Sequence, residues 1–318
     1  MRTVFLAFAF ACAFTAQASY ELLLVADKGN GAAGTSRIHR IDGTSGAYLG
    51  SFGSNILTGA IGVTVDSALG LAYVTEGDSG PAHIFDYSTG VYYGQRSSTF
   101  YDRYPVKLGS NLYATQGFGL YKLPLNGGAQ TSLNLPNGGS ALWLAQTSST
   151  KAIVYSYLTN TTGNLYEFNS TNESFVSLGA VNLSFGISNF AAANFLPSYQ
   201  GGGPAIIAGS GVLGDLHVFR LTGSNAFSSA STFSSNSLNN CLGVANAHGG
   251  FYATGKLASN GALGGVTFFT NYGAEKQTYS YGNLYDPRGI ASVIAPEPGT
   301  MLAIGAGLVA MLKRRKKA

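Results

Sequence analysis

Between residues 19 and 295 the apolar positions fall in short runs rich in Val, Ile, Leu, Tyr and Phe, broken by Gly, Asn, Asp and Ser. No stretch repeats its apolar residues every three to four positions, as a helix face would, so the runs predict strands joined by turns. The clearest unit reads Ile61–Val65, Leu71–Thr75, His83–Asp86 and Val91–Tyr93, four strands in fewer than forty residues. Its second strand recurs at Leu22–Val25, Leu112–Thr115, Ile153–Tyr155, Ala205–Ala208 and Phe251–Thr254, which makes six copies. Its third strand also has six, the others being Ile38–Asp42, Leu120–Leu123, Leu165–Phe168, Leu216–Phe219 and Val266–Phe269. Turn residues such as Gly43-Thr44-Ser45-Gly46, Ser88-Thr89-Gly90 and Asn126-Gly127-Gly128 follow several of these strands, where Gly and Asn supply backbone angles that other residues avoid.

The first strand shows how the units assemble. Candidates lie at Ile61–Val65, Val106–Leu108, Leu142–Ala145, Phe190–Phe195, Leu242–Ala245 and Ile290–Ile294. The first unit has no such strand before it, and the last has no companions after it. A period of 40 to 50 residues indicates a propeller, and a ring resolves both anomalies, because the C-terminal strand completes the blade begun by Glu21–Val25 and leaves no open edge. The expected fold is all-β, a six-bladed β-propeller closed by its C-terminal strand, with a short apolar helix after it. Further strands hidden between Gly179 and Gly203 would instead give a seventh blade or a pair of sandwiches. The Tyr73-Val74-Thr75 run and the Asp42…Gly46 and Asp86…Gly90 turns resemble those of NHL and YVTN-like propellers, a likeness that speaks to fold rather than activity.

Both ends of the chain carry targeting signals. Arg2, the apolar run Val4–Phe14 and Ala16-Gln17-Ala18 before Ser19 form the charge, core and small-residue cleavage pattern of a secretory signal peptide, with Ala16, Ala18 and Ser19 at the cut. At the other end Pro296-Glu297-Pro298 precedes an apolar run, Met301–Leu312, and the basic cluster Lys313, Arg314, Arg315, Lys316 and Lys317. Twelve apolar residues rise only about 18 Å as a helix, less than the roughly 30 Å hydrocarbon core, so a transient anchor fits better than a permanent one. The basic cluster would stay on the cytoplasmic side and leave the body outside. This order resembles the PEP-CTERM sorting signal of bacterial exosortase substrates. The resemblance implies a membrane-embedded sorting enzyme that reads the Pro-Glu-Pro region and removes the tail, with signal peptidase acting at the other end. It also implies an exported, Gram-negative-type envelope or matrix protein whose further partners are extracellular polysaccharide or surface proteins, as in biofilm. The expected organisation is a signal peptide (1–18), a propeller (19–295) and a sorting signal (296–318).

These segments change the meaning of the charge. The formal +4 becomes −1 once Arg2 leaves with the leader and Glu297 and the five basic residues leave with the tail, so the body offers no electrostatic footprint for nucleic acid. Charged residues are only 10% of the chain against about 25% in ordinary domains, which leaves a surface rich in hydroxyls and amides. Cys12 leaves with the leader, and Cys241 alone remains in the short apolar run Cys241–Ala245, where it reads as a small buried hydrophobe.

Candidate chemistry is sparse. His39, His83 and His217 occupy one repeat position in three different third strands, so they radiate around the ring and cannot converge on one metal; they read as packing residues. Asp27, Glu76 and Asp78 follow second strands, and Asp102 and Asp286 lie in two similar loops, Tyr101–Pro105 and Tyr285–Gly289. Loops after second strands and before first strands open on the same end of a propeller, so these five acids form a candidate rim. Such oxygen-rich clusters hold Ca²⁺, and six-bladed lactonase-like enzymes, which the ring resembles, carry a metal in the channel. A hydrolase or lyase acting on an extracellular lactone or glycan is therefore the rival to the favoured reading, a binding module with no cofactor. No nucleophile elbow or phosphate loop is present, and the first strands, which line the channel, are mostly Ala, Val, Leu and Gly.

Overall fold

The computed structural model describes residues 19–77, 80–96, 104–116, 119–159, 161–183, 192–211, 214–222 and 226–296. Within them twenty-four strands form six four-stranded antiparallel sheets. Blade 1 holds β1 (Ser19–Asp27), β2 (Arg37–Asp42) and β3 (Tyr48–Phe52), and blade 2 holds β4 (Ala60–Asp66), β5 (Leu71–Glu76), β6 (Ala82–Asp86) and β7 (Tyr92–Arg96). Blade 3 runs from β8 (Val106–Leu108) through β9 (Asn111–Gln116) and β10 (Gly119–Pro124) to β11 (Thr131–Leu133). Blade 4 is β12 (Ser140–Gln146), β13 (Lys151–Tyr157), β14 (Thr162–Asn169) and β15 (Ser174–Asn182). Blade 5 is β16 (Ala193–Leu196), β17 (Ala205–Gly209), β18 (Asp215–Leu221) and β19 (Phe227–Ser234). Blade 6 is β20 (Gly243–Ala247), β21 (Gly250–Lys256), β22 (Gly264–Thr270) and β23 (Glu275–Tyr279). The last strand, β24 (Pro287–Pro296), returns to blade 1 and pairs with β1, with Ser19 opposite Pro296 and Val25 opposite Ile290.

The expected six-bladed ring is therefore the observed one, closed as anticipated by the C-terminal strand. The strand expected at Phe190–Phe195 begins at Ala193, residues 190 and 191 lying outside the described residues. The innermost strands β4, β8, β12, β16, β20 and β24 each touch their neighbours and encircle the axis. No helix occurs among the described residues; the apolar run Met301–Leu312 lies outside them.

The strands are continuous apolar runs because both their faces are covered. Successive side chains point to opposite faces of a strand, and in β1 Leu22 and Leu24 enter the gap toward blade 2 while Leu23 and Val25 enter the gap toward blade 6. Six apolar clusters result, one in each gap between neighbouring blades. Phe251 and Phe269 stack at 5.1 Å and 7° between blades 5 and 6, while Trp143 meets Phe219 edge-on at 5.0 Å between blades 4 and 5. Cys241 is buried in the gap between blades 5 and 6, where its thiol donates to the Gly214 carbonyl and burial pushes its ionisation far up.

The Asp…Gly turns that end third strands are built alike. Asp42 Oδ1 accepts from the amides of Thr44 and Ser45, and Asp86 Oδ1 from those of Ser88 and Thr89. Gly46 and Gly90 close these turns at φ of 74° and 78°, angles that cost other residues strain. A Cβ at Gly46 would also stand 2.2 Å from Tyr279, and one at Gly90 2.6 Å from Phe52. Between blades 6 and 1 the ring is stitched by tyrosines: the Tyr252 and Tyr279 hydroxyls lie 2.9 and 3.0 Å from the Gly43 carbonyl, and Tyr281 donates to that of Gly46.

Three buried hydroxyls, those of Thr75, Tyr155 and Thr254, lack this compensation among the described residues. Tyr155 Oη, between blades 4 and 5, has no hydrogen-bond partner among the described residues, and burial pushes its ionisation up to about 12. An unsatisfied buried hydroxyl costs about 1–3 kcal/mol. Tyr155→Phe is therefore expected to leave the urea midpoint unchanged or raise it by up to about 1 kcal/mol of stability, in contrast to the usual loss on altering a core aromatic.

Candidate functional site

Alternation of strand direction sorts the loops onto two ends. One, the acid end, carries the loops after second and fourth strands, with Asp27, Glu76 and Asp286. The other, the tail end, carries the turns after first and third strands, the start of β1 and the end of β24.

At the acid end Asp27 is fully buried. Its Oδ1 accepts from the amides of Gly29 (2.9 Å) and Asp286 (2.7 Å), and its Oδ2 from Tyr285 N (2.9 Å) and His39 Nε2 (3.1 Å). Burial alone would raise the Asp27 carboxyl, but the bonds from His39 and from the Tyr285, Gly29 and Asp286 amides outweigh it and hold it below the ordinary carboxylate range. Because His39 gives its Nε2 proton to Asp27, its Nδ1 accepts from the Tyr48 hydroxyl at 3.2 Å, and that oxygen accepts from Asn283 Nδ2 at 3.2 Å. A directed chain thus runs Asn283 to Tyr48 to His39 to Asp27, from a half-exposed ring on the outer strand to a buried charge.

Blade 2 repeats the arrangement more loosely. Glu76 is buried, its Oε1 accepts from Thr58 N, Thr58 Oγ1 and Gly59 N, and its Oε2 lies 3.5 Å from His83 Nε2. His83 Nδ1 meets the Tyr92 hydroxyl at 3.2 Å. Burial again acts to raise the Glu76 carboxyl, and the His83, Thr58 and Gly59 contacts overcome it and lower it. In blade 5 His217 Nδ1 contacts Thr232 Oγ1 at 2.6 Å. The three histidines of the repeat stand in three separate blades, and His39 is a link in a hydrogen-bonded relay as well as a packed side chain.

Of the five candidate rim acids, the structure brings Asp27 and Asp286 together and places Glu76 in the next blade. Asp78 and Asp102 lie outside the described residues, as do Ala16, Ala18, Glu297, Pro298 and the basic cluster from Lys313 to Lys317. The donor set does not suit Ca²⁺, which takes six to eight oxygens. A carboxylate offers about four lone-pair sites, and all four of Asp27 face hydrogen donors. Asp286 Oδ2 is gripped by Arg288 Nε and Nη2 at 2.9 and 2.7 Å, which leaves only its Oδ1, buried and without a partner among the described residues. Among the described residues no three His, Cys, Asp or Glu side chains gather as a metal site requires.

The central channel holds a cavity of about 350 Å³ to which every innermost strand contributes, through Val63, Val106, Leu144, Ala193, Ala245 and Ala291. Its polar groups are neutral, among them Thr64, Gln146, Asn194 and Asn246, and no charged side chain lines it among the described residues.

On the outer flank the half-exposed Tyr48 ring lies 5.2 Å from that of Tyr281, tilted by 40°, with the Asn283 amide beside it. Tyr92 and Tyr93 are exposed on the outer strand of blade 2. Sequence reading did not single out Tyr48, Tyr92, Tyr281 or Asn283, although Tyr48 and Tyr92 each follow their histidine by nine positions, a spacing visible once the repeats are aligned.

The register of the closing strand delivers the C-terminus directly to the Pro-Glu-Pro sequence. Residues 295–317 match the PEP-CTERM protein-sorting motif. The PEP-CTERM motif directs export to the cell envelope and recognition by an exosortase-type sorting enzyme, and it begins where β24 ends. A search of curated protein sequences finds no match. Among solved structures, the propeller is similar to one from a nidogen/laminin complex, at TM-score 0.63, 11% identity and coverage of 86% of this chain and 98% of that one. It is also similar to a putative 6-phosphogluconolactonase from Bacteroides fragilis, at TM-score 0.56, 12% identity and coverage of 87% and 99%. The Cps50 β-propeller domain of Myceliophteria thermophila gives TM-score 0.53 at 8% identity, covering 87% and 94%. At such identities these likenesses establish the fold alone.

Proposed function

We propose that the propeller is a non-enzymatic binding module of the cell surface or extracellular matrix, which meets neutral polysaccharide through tyrosines on the outer flank of blades 1 and 2. The observation that carries this reading is the Tyr48–Tyr281 pair with Asn283 beside it. Flat apolar faces bordered by a fixed amide suit the mixed apolar and hydroxyl surface of a sugar, since a tyrosine presents an apolar ring together with a polar hydroxyl. The buried His39–Asp27 chain fixes the Tyr48 ring before a ligand arrives, which lowers the ordering cost of binding. The near-neutral, amide-rich surface favours an uncharged partner.

The rival hydrolase reading draws on the fold likeness to a putative 6-phosphogluconolactonase. Such a substrate carries phosphate, and the described channel residues include neither a cation to hold it nor a carboxylate or imidazole to activate water. Among the described acids at that end, both oxygens of Asp27 and Oδ2 of Asp286 are engaged in structural hydrogen bonds.

Titration of the protein with neutral polysaccharide recovered from the producing cells tests the proposal. Binding without added Ca²⁺ is expected, with Tyr281→Ala weakening it about tenfold, equivalent to about 1.4 kcal/mol. Tyr48→Phe, which keeps the ring but frees it and Asn283 from the hydrogen-bonded chain, should weaken binding less than Tyr281→Ala does. Equal binding by the unaltered chain and Tyr281→Ala, or turnover of a lactone that the unaltered chain catalyses, would overturn it.

A further inference from the structure

The tail end of the propeller carries exposed apolar side chains on three adjoining blades. Leu69, in the turn between β4 and β5, is 67% exposed, Tyr272, between β22 and β23, 68%, and Ile294, near the end of β24, 73%; Val91, before β7, is also exposed. Blades 6, 1 and 2, which bear them, are neighbours, because β24 packs against both β20 and β4. The sorting tail leaves from the middle of this sector. The tips are held firmly: Gln200 of blade 5 donates its amide to the Asn271 carbonyl at 2.8 Å and its side chain to that of Tyr272 at 3.3 Å.

We infer that this end of the propeller is a membrane-contact face, seated on the outer surface of the bilayer while the sorting tail is uncut. Chain length carries the argument. Four residues separate Pro296, the last of β24, from Met301, the first of the apolar run, and the five chain steps between the two span at most about 18 Å. The headgroup layer on one side of a bilayer is about 5–8 Å thick. The apolar run is moreover about 12 Å shorter, as a helix, than the hydrocarbon core, so crossing draws its flanking residues inward and uses up the slack. A folded propeller on such a leash has its tail end against the headgroups, where tyrosine and aliphatic tips gain from partial burial.

The register supports the same orientation, because Ser19 pairs with Pro296, so leader and tail both depart from this end toward one membrane. Carboxylates of this sector are engaged within the protein: Glu21, opposite Ile294, accepts from the Tyr252 hydroxyl at 3.1 Å, and burial raises its carboxyl above the ordinary range. Asp42 and Asp86 are turned into their own turns, and Asp66 is paired with Lys107 at 2.7 Å. The acid end then remains open to the exterior.

The test uses the full chain with its tail intact, reconstituted in phosphatidylethanolamine and phosphatidylglycerol vesicles containing a lipid spin-labelled near the headgroup. Single cysteines carrying an environment-sensitive fluorophore are placed by Leu69→Cys, Tyr272→Cys and, on the opposite end, Leu158→Cys, each exposed; Cys12→Ser removes the leader thiol, and the buried Cys241 does not compete. Quenching and a blue shift are expected at positions 69 and 272 and neither at 158. Equal responses at all three positions, or none at 69 and 272, would overturn the inference. So would shielding of 69 and 272 that persists without lipid and grows with protein concentration, which would assign the face to a second copy of the chain.

Discussion

Asp27→Ala is expected to lower stability by about 3–5 kcal/mol, the cost of removing one partner from a buried charged network. The substitution strips the acceptor from His39 and from the amides of Gly29, Tyr285 and Asp286. Two of those amides immediately precede β24, so the loss falls at the seam where the ring closes. Urea denaturation followed by tryptophan fluorescence reads the change through Trp143, the single tryptophan. Asp27→Asn, which keeps the shape but turns an acceptor into a donor, should fall between Ala and the unaltered chain. A loss below about 1 kcal/mol, the level of a surface substitution, would show that the network does not hold the seam.

The same groups fix the response to acid. The Asp27 and Glu76 carboxyls are both lowered in the folded chain, so the folded state binds their protons less readily than the unfolded one. Their stabilisation is full above the ordinary values of 3.8 and 4.5 and is lost as the pH falls through these toward the lower folded values. The urea midpoint should therefore drop below about pH 4.5, and less steeply in Asp27→Asn.

The second large effect is expected on removing the closing strand. A chain ended at Asp286 loses β24 with buried Ile290 and Val293, which enter the gaps toward blades 6 and 2. Each such side chain contributes about 1.5–3 kcal/mol, and β1 is left with an unpaired edge open to aggregation. That chain should show no cooperative thermal transition and should bind a hydrophobic dye, whereas one ended at Pro296 should melt cooperatively. Cooperative melting of both would contradict a ring that depends on its C-terminal strand.

The second and third strands were legible in the sequence because both their faces are buried, which turns runs such as Leu22–Val25 and Phe251–Thr254 into unbroken apolar stretches. Most outer strands were not. Strand β19, Phe-Ser-Ser-Ala-Ser-Thr-Phe-Ser, is largely exposed and reads as a polar loop, because pairing with β18 rather than composition makes it a strand. At the candidate site, the grouping of Asp27 with Asp286 at one end was readable from loop order. The inward turn of Asp27 was not, since it depends on backbone amides 258 and 259 residues away. The relay to Tyr48 and the His83–Tyr92 contact needed the side-chain direction on third and fourth strands together, which no single run of sequence shows.

Trimming of an exported propeller at both ends is tested most directly by the intact mass of the protein recovered from membrane and extracellular fractions of producing cells. The expected result is an extracellular species lacking residues 1–18 and the segment from near Pro296 onward, with Pro296, Glu297 and Pro298 all replaced by Ala giving only the membrane-bound form. A species that keeps its C-terminus through Ala318 in the unaltered chain would contradict it and make the tail a permanent anchor.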